Sequence, residues 1–139
     1  MGSCPSCAAY NEIGAALLEG HSPVQAIDAD RQLDLDPDTR SALETPATVP
    51  VEQLSTGGYV IDSLACAVWT IQQPESLESV LVDLVNRGDD ADTTCAIAGG
   101  LLGVTHGADA IPSHWRNKLE YVDNMTAAAA ECARLRLAA

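Results

Sequence analysis

The stretch "GDDADTTCAIAGGLLG", residues 88–103, sets three aspartates, Asp89, Asp90 and Asp92, directly before a run of small apolar residues. Acidic turns are ordinarily solvated, but this one leads into a segment that has to be buried. The apolar run shows no strand alternation and continues to His106, so the spacing predicts a helix from about Asp92 to His106. Carboxylates at a helix start are favoured by the macrodipole and by capping. One cap needs only one aspartate, however, and the remaining like charges repel unless a cation compensates them. Gly99, Gly100 and Gly103 each cost that helix roughly 1 kcal/mol relative to alanine. Their presence predicts close backbone approach to a neighbour or a ligand.

Outward from this stretch the periodicity is helical nearly everywhere. Ala9, Ile13, Ala16 and Leu17 share one helical face, with Gly20 as a stop. "SPVQAI" reads as a second start, with Ser22 as N-cap, Pro23 at the first helical position and Gln25 closing a capping box. "DPDTRSALE" repeats the device with Asp36 and Pro37. Residues 45–58 carry Pro46, Pro50, Gly57 and Gly58, and read as a loop with a single helical turn. Val60, Ile61, Leu64, Val68 and Ile71 mark a central helix. Leu77, Val80, Leu81, Leu84 and Val85 mark the next, which Gly88 ends. Pro112 is expected to open a further helix at its first position, and Asp123 to cap a last one over 124–137. The fold class is therefore all-α, a compact helical bundle.

Composition narrows the function. The 139 residues suffice for one core. Twenty acidic against seven basic side chains give a net charge of −13, a field that repels nucleic acid and anionic membranes. Neither is expected as a partner. Lys118 is the lone lysine, and an acidic, lysine-poor chain fits a halophile-like protein that gains stability as salt screens its self-repulsion. No apolar stretch is long enough to span a bilayer, and no leader pattern opens the chain, so the expected location is cytoplasmic. Five cysteines, with Cys66 and Cys95 inside apolar runs, do not form a secreted disulfide framework.

Asp90, Asp92 and Thr93 offer two carboxylates and a hydroxyl, hard oxygen donors of the kind Mg²⁺ takes. They do not fill an octahedral shell. "DLDPD", with Asp34, Asp36 and Asp38, lacks the glycine and glutamate of a calcium loop and reads as a solvated helix start. "CPSC", Cys4 to Cys7, has the spacing of a metal or redox pair. A second pair for zinc is missing, and so is the preceding strand usual for a redox motif.

Three blocks in succession, "TGGYVIDSLACAVW", "NRGDDADTTCAIAGGLLG" and "GADAIPSHWRNKL", resemble those of the ADP-ribosylglycohydrolase family, from about residue 56 to 121. The resemblance implies an all-helical fold with a binuclear Mg²⁺ or Mn²⁺ centre in a cleft, and hydrolysis of the glycosidic bond that joins ADP-ribose to a protein or small-molecule acceptor. It places Asp90, Asp92 and Thr93 at the family's C-terminal metal ligands and Tyr59 at an aromatic position lining the ADP-ribose cleft. Asp89 stands where many members have glycine.

Family members are longer. Their N-terminal half carries a Gly-Asp block with the catalytic acid and a Thr-Asp-Asp block with the remaining ligands, and neither occurs here. Residues 1–139 thus read as a single partial domain, the C-terminal half. The catalytic acid/base is unassigned. The resemblance implies an ADP-ribosylated substrate. The missing half points either to a truncated gene product or to a split enzyme whose other chain supplies the N-terminal half, and no activity is expected without that half. The alternative is a non-catalytic remnant or regulatory binding module on the same helical core.

Overall fold

A computed structural model describes residues 4–30 and 35–137, and all regular structure among them is helical. Asp34 of the "DLDPD" stretch lies outside the described residues.

The first helix, α1 (Pro5–Leu18), starts with proline at its first position and buries Ser6, Ala9, Ile13 and Leu17 along one stripe. Gly20, at φ 91°, turns the chain out of it. The capping box of α2 (Pro23–Asp30) is formed in both directions. Gln25 Oε1 accepts from Ser22 N at 2.9 Å, and Ser22 Oγ accepts from Gln25 N at 3.3 Å. Asp36 caps α3 (Pro37–Leu43) by accepting from the amides of Asp38 and Thr39 at 3.1 and 3.0 Å. The backbone N–H of Thr39, first among several donors, holds the Asp36 carboxyl below its ordinary pKa. Loop 44–59 contains one 3₁₀ turn, Val51–Gln53.

Helix α4 (Val60–Thr70) is buried on most of its faces and sits at the centre of the bundle. It packs chiefly on α6 (Ala91–His106) and α3, and also meets α1. Its C-terminal end anchors the preceding loop. Trp69 Nε1 donates to Val49 O at 2.8 Å, and the Gln72 and Gln73 amides donate to Thr45 O and Ala47 O, each at 3.1 Å. Loop carbonyls that would otherwise be desolvated are satisfied in this way. Ser76 caps α5 (Leu77–Val85), which lies against α6. Ile13, Leu43, Leu84, Leu101 and Leu102 are among the fully buried side chains. Each contributes about 1.5–3 kcal/mol of apolar burial.

After α6 the chain makes a 3₁₀ turn, Ala108–Ala110, and a short α7 (Ser113–Arg116). Trp115 packs on the edge of the core and lines a shallow apolar pocket with Leu81, Val82, Val85 and Cys95. Pro112 is the N-cap of α7, one position earlier than expected. Its ψ of 135° is extended, and the first helical residue is Ser113. Helix α8 spans Val122–Leu137, so Asp123 lies in its first turn and is not its cap. Tyr121, with φ 61°, makes the turn into α8. No helix among the described residues is long and apolar enough to cross a membrane.

Candidate metal and substrate site

The start of α6 is reached through two left-handed residues, Gly88 at φ 80° and Asp89 at φ 54°. Aspartate tolerates this region better than most side chains do. Asp90 occupies the N-cap position with φ −90° and ψ 44°, but its side chain makes no capping hydrogen bond. Its carboxylate lies instead against the backbone of Gly58. A Cβ on Gly58 would collide with Asp90 Oδ2 and stand 3.0 and 3.2 Å from Asp90 Cγ and Cβ. Gly58 also has φ 76°, so glycine is required there both by conformation and by space.

This contact brings the "TGGYV" segment to the acidic turn. Tyr59 follows Gly58 directly as N-cap of α4, and its side chain is 60% exposed. Asp90 is half-buried, while Asp92 and Thr93 are exposed on the first turn of α6. Thr94, on the opposite side of that turn, is fully buried.

Buried threonines hold the two segments together, and sequence reasoning did not single them out. Thr56 Oγ1 donates to Gly88 O at 2.9 Å, and Thr94 Oγ1 donates to Thr56 O at 3.5 Å. Arg87 Nη2 adds a bond to Glu52 O at 2.8 Å. Ser55 Oγ donates to Asp62 Oδ2 at 2.7 Å, and the Cys66 thiol donates to Ser55 O at 3.3 Å. Burial, followed by the charge of Asp62, pushes the Cys66 thiol up to about 11, so it stays protonated as a donor. The one available signal was position: Thr56 and Thr94 belong to the same two sequence blocks as Tyr59 and Asp90.

The donor set suits a hard divalent cation in kind. Two carboxylates and a hydroxyl stand within four residues at one helix start, and Asp90 is not used as a cap. The set is small in number. No group of three or more His, Cys, Asp or Glu side chains placed to hold a metal occurs among the described residues. An ion at this turn would therefore take most of its shell from elsewhere.

The histidines lie away from this turn. His106 Nδ1 is 3.1 Å from Leu102 O on α6. His114 lies 3.5 Å from Glu78 at the surface.

The ADP-ribosylglycohydrolase family profile matches residues 3–139. The ADP-ribosyl-dinitrogen reductase glycohydrolase of Rhodospirillum rubrum is 40% identical over 65 residues, 47% of this chain and 22% of that protein. An ADP-ribosylarginine hydrolase of Pseudomonas putida (strain GB-1) is 28% identical over 111 residues, 74% of this chain and 30% of that protein. Another of that name, from Serratia proteamaculans (strain 568), is 34% identical over 68 residues, 49% of this chain and 19% of that protein. The chain thus spans less than a third of the length of the curated relatives it matches. No solved structure matches it.

Proposed function

Because the chain belongs to the ADP-ribosylglycohydrolase family, we propose that it supplies part of a metal-dependent site that hydrolyses the glycosidic bond of ADP-ribosylated substrates. The observation that carries this reading is the Asp90 carboxylate. It occupies a helix N-cap without capping, pressed on Gly58, with Asp92 and Thr93 exposed beside it. Asp90, Asp92 and Thr93 hold one side of a Mg²⁺ or Mn²⁺ centre that is binuclear when complete. A bound divalent ion supplies Lewis acidity and orients ribose oxygens at the scissile carbon. Tyr59 presents an exposed ring beside that turn, and a ring there packs against a nucleotide sugar or base.

The remaining ligands and the proton-transferring group come from a segment equivalent to the relatives' unmatched portion. Missing ligands or a missing acid cost orders of magnitude in rate. Two of the relatives are ADP-ribosylarginine hydrolases, which makes ADP-ribosylarginine the acceptor class to test first.

The experiment measures ADP-ribose release from an ADP-ribosylarginine protein with Mg²⁺. The chain is assayed alone, and then with a polypeptide carrying the Gly-Asp and Thr-Asp-Asp blocks. Turnover is expected only from the mixture. Calorimetry with Mn²⁺ on the mixture should show Asp90→Ala and Asp92→Ala weakening binding far more than Asp38→Ala. Equal effects would reduce the acidic turn to nonspecific attraction and favour a non-catalytic binding module. Turnover by the chain alone would mean that it holds a complete site.

A further inference from the structure

The "CPSC" motif is not used by the metal site. We propose that Cys4 and Cys7 form a dithiol site at the start of α1 that exchanges reversibly with small-molecule disulfides. The geometry is that of a helix start. Cys4 is the N-cap, with φ −74° and ψ 110°, Pro5 follows as the first helical residue, and the Cys4 carbonyl accepts from Ala8 N at 3.0 Å. Cys7 is then the third helical residue. Cys4 and Cys7 are three residues apart across the first turn, a spacing at which side chains on a helix are neighbours. Residues so placed fall in the Cα range of about 4.4–6.8 Å that a disulfide spans.

Both cysteines are exposed. Cys7 also borders an open groove of about 480 Å³ between α1, α4 and α6, shared with Tyr10, Val60 and Ser63. A small disulfide can therefore reach the pair.

The two thiols are not equivalent. The neighbouring Cys7 side chain holds the Cys4 thiol below its ordinary pKa. The Cys4 side chain in turn holds the Cys7 thiol above its own. Cys4 is thus the attacking thiolate and Cys7 the resolving thiol. The Cys4 thiolate attacks one sulfur of a disulfide RSSR, forming Cys4–S–S–R and releasing RS⁻, which takes up a proton. Cys7 then loses its proton and attacks the Cys4 sulfur, which expels the second RS⁻. In sum, two protein thiols and RSSR give one internal disulfide and two RSH. The protein is oxidised by two electrons and RSSR is reduced by two.

The other cysteines lack this arrangement. Cys66 is buried and Cys95 half-buried, both with raised pKa through burial. Cys132 is exposed on α8, far along the chain from the pair. It serves as an internal control.

The test treats the reduced full chain with oxidised glutathione, quenches by alkylation and maps products by mass spectrometry. Cys4 is expected to react severalfold faster than Cys132. The 4–7 pair should lose about two mass units with little glutathione retained, because the mixed disulfide is resolved. Cys132 keeps its adduct. Cys7→Ser should retain the adduct on Cys4 about tenfold more than the wild type does. In denaturing urea the Cys4 to Cys132 rate ratio should fall towards one. Adducts persisting on wild-type Cys4 as they do on Cys132, or a rate ratio unchanged by urea, would overturn the proposal.

Discussion

Substituting Gly58 by alanine should cost far more than a loop glycine ordinarily does, through two separable effects. The left-handed backbone at φ 76° costs an alanine about 1–2 kcal/mol. The new methyl also strikes the Asp90 side chain along its length, from Oδ2 to Cβ. Rotation of the carboxylate alone does not relieve a contact that reaches Cβ, so the side chain is forced off its rotamer at about 0.5–1.5 kcal/mol. The sum is about 1.5–3.5 kcal/mol. Unfolding entropy of roughly 2.1 cal/mol/K per residue, over 139 residues, makes 1 kcal/mol worth about 3–4 °C. Gly58→Ala should therefore lower Tm by about 5–12 °C. The control is Gly20→Ala, where φ is 91° and no atom lies within 4 Å of the added methyl. It bears the backbone cost alone. Urea unfolding followed by the fluorescence of buried Trp69 measures both variants. In the Asp90→Ala background the Gly58→Ala cost should shrink by about 1 kcal/mol, which a double-mutant cycle resolves. Equal costs for Gly58→Ala and Gly20→Ala, with no coupling to Asp90, would refute the packing of the acidic turn on this loop.

Two further outcomes are expected. Gly100→Ala drives a methyl into the Tyr10 hydroxyl, which donates to Ile97 O at 2.8 Å. In the wild type, loss of that bond, about 1 kcal/mol, offsets a helix-propensity gain of up to about 1 kcal/mol, so the net change should be near zero; in a Tyr10→Phe chain only the gain remains, and denaturant midpoints read the difference of about 1 kcal/mol. Asp36 has a lowered carboxyl pKa in the folded chain. Its contribution is complete above the unfolded carboxylate pKa and disappears as pH falls through the lowered folded value. The stability gap between wild type and Asp36→Ala should accordingly close on acidification, and a gap that widens would contradict the cap.

Local signals were legible in the sequence. The starts of α2 and α3 follow from Ser22, Gln25 and Asp36, because a cap and its amides lie within a few residues. Pro112 and Asp123 were each displaced by a position or two, because helix ends depend on where the chain must turn. Pro112 itself holds the extended cap of α7, and Tyr121 makes the turn before α8. The glycines of α6 divided. Gly100 has the close neighbour that three glycines in one helix suggested, while a methyl on Gly103 would meet nothing within 4 Å. At the acidic turn, crowding of Asp89, Asp90 and Asp92 was visible as an electrostatic cost in need of a reason. The fit of Asp90 on Gly58, and the bonds from Thr56 to Gly88 and from Thr94 to Thr56, join positions more than thirty residues apart. No periodicity or cap encodes contacts at that separation.

The threonine bonds also decide how this surface opens. Thr56 is 2% exposed and Thr94 fully buried, so freeing either hydroxyl leaves a desolvated oxygen until water enters. The loop before α4 and the first turn of α6 therefore come apart in one step, as a single cooperative unit of partial unfolding. The first bonded amides of the two helices, Ser63 N on Tyr59 O and Thr94 N on Asp90 O, should exchange with solvent deuterium in concert, at one opening free energy, although they lie on different helices.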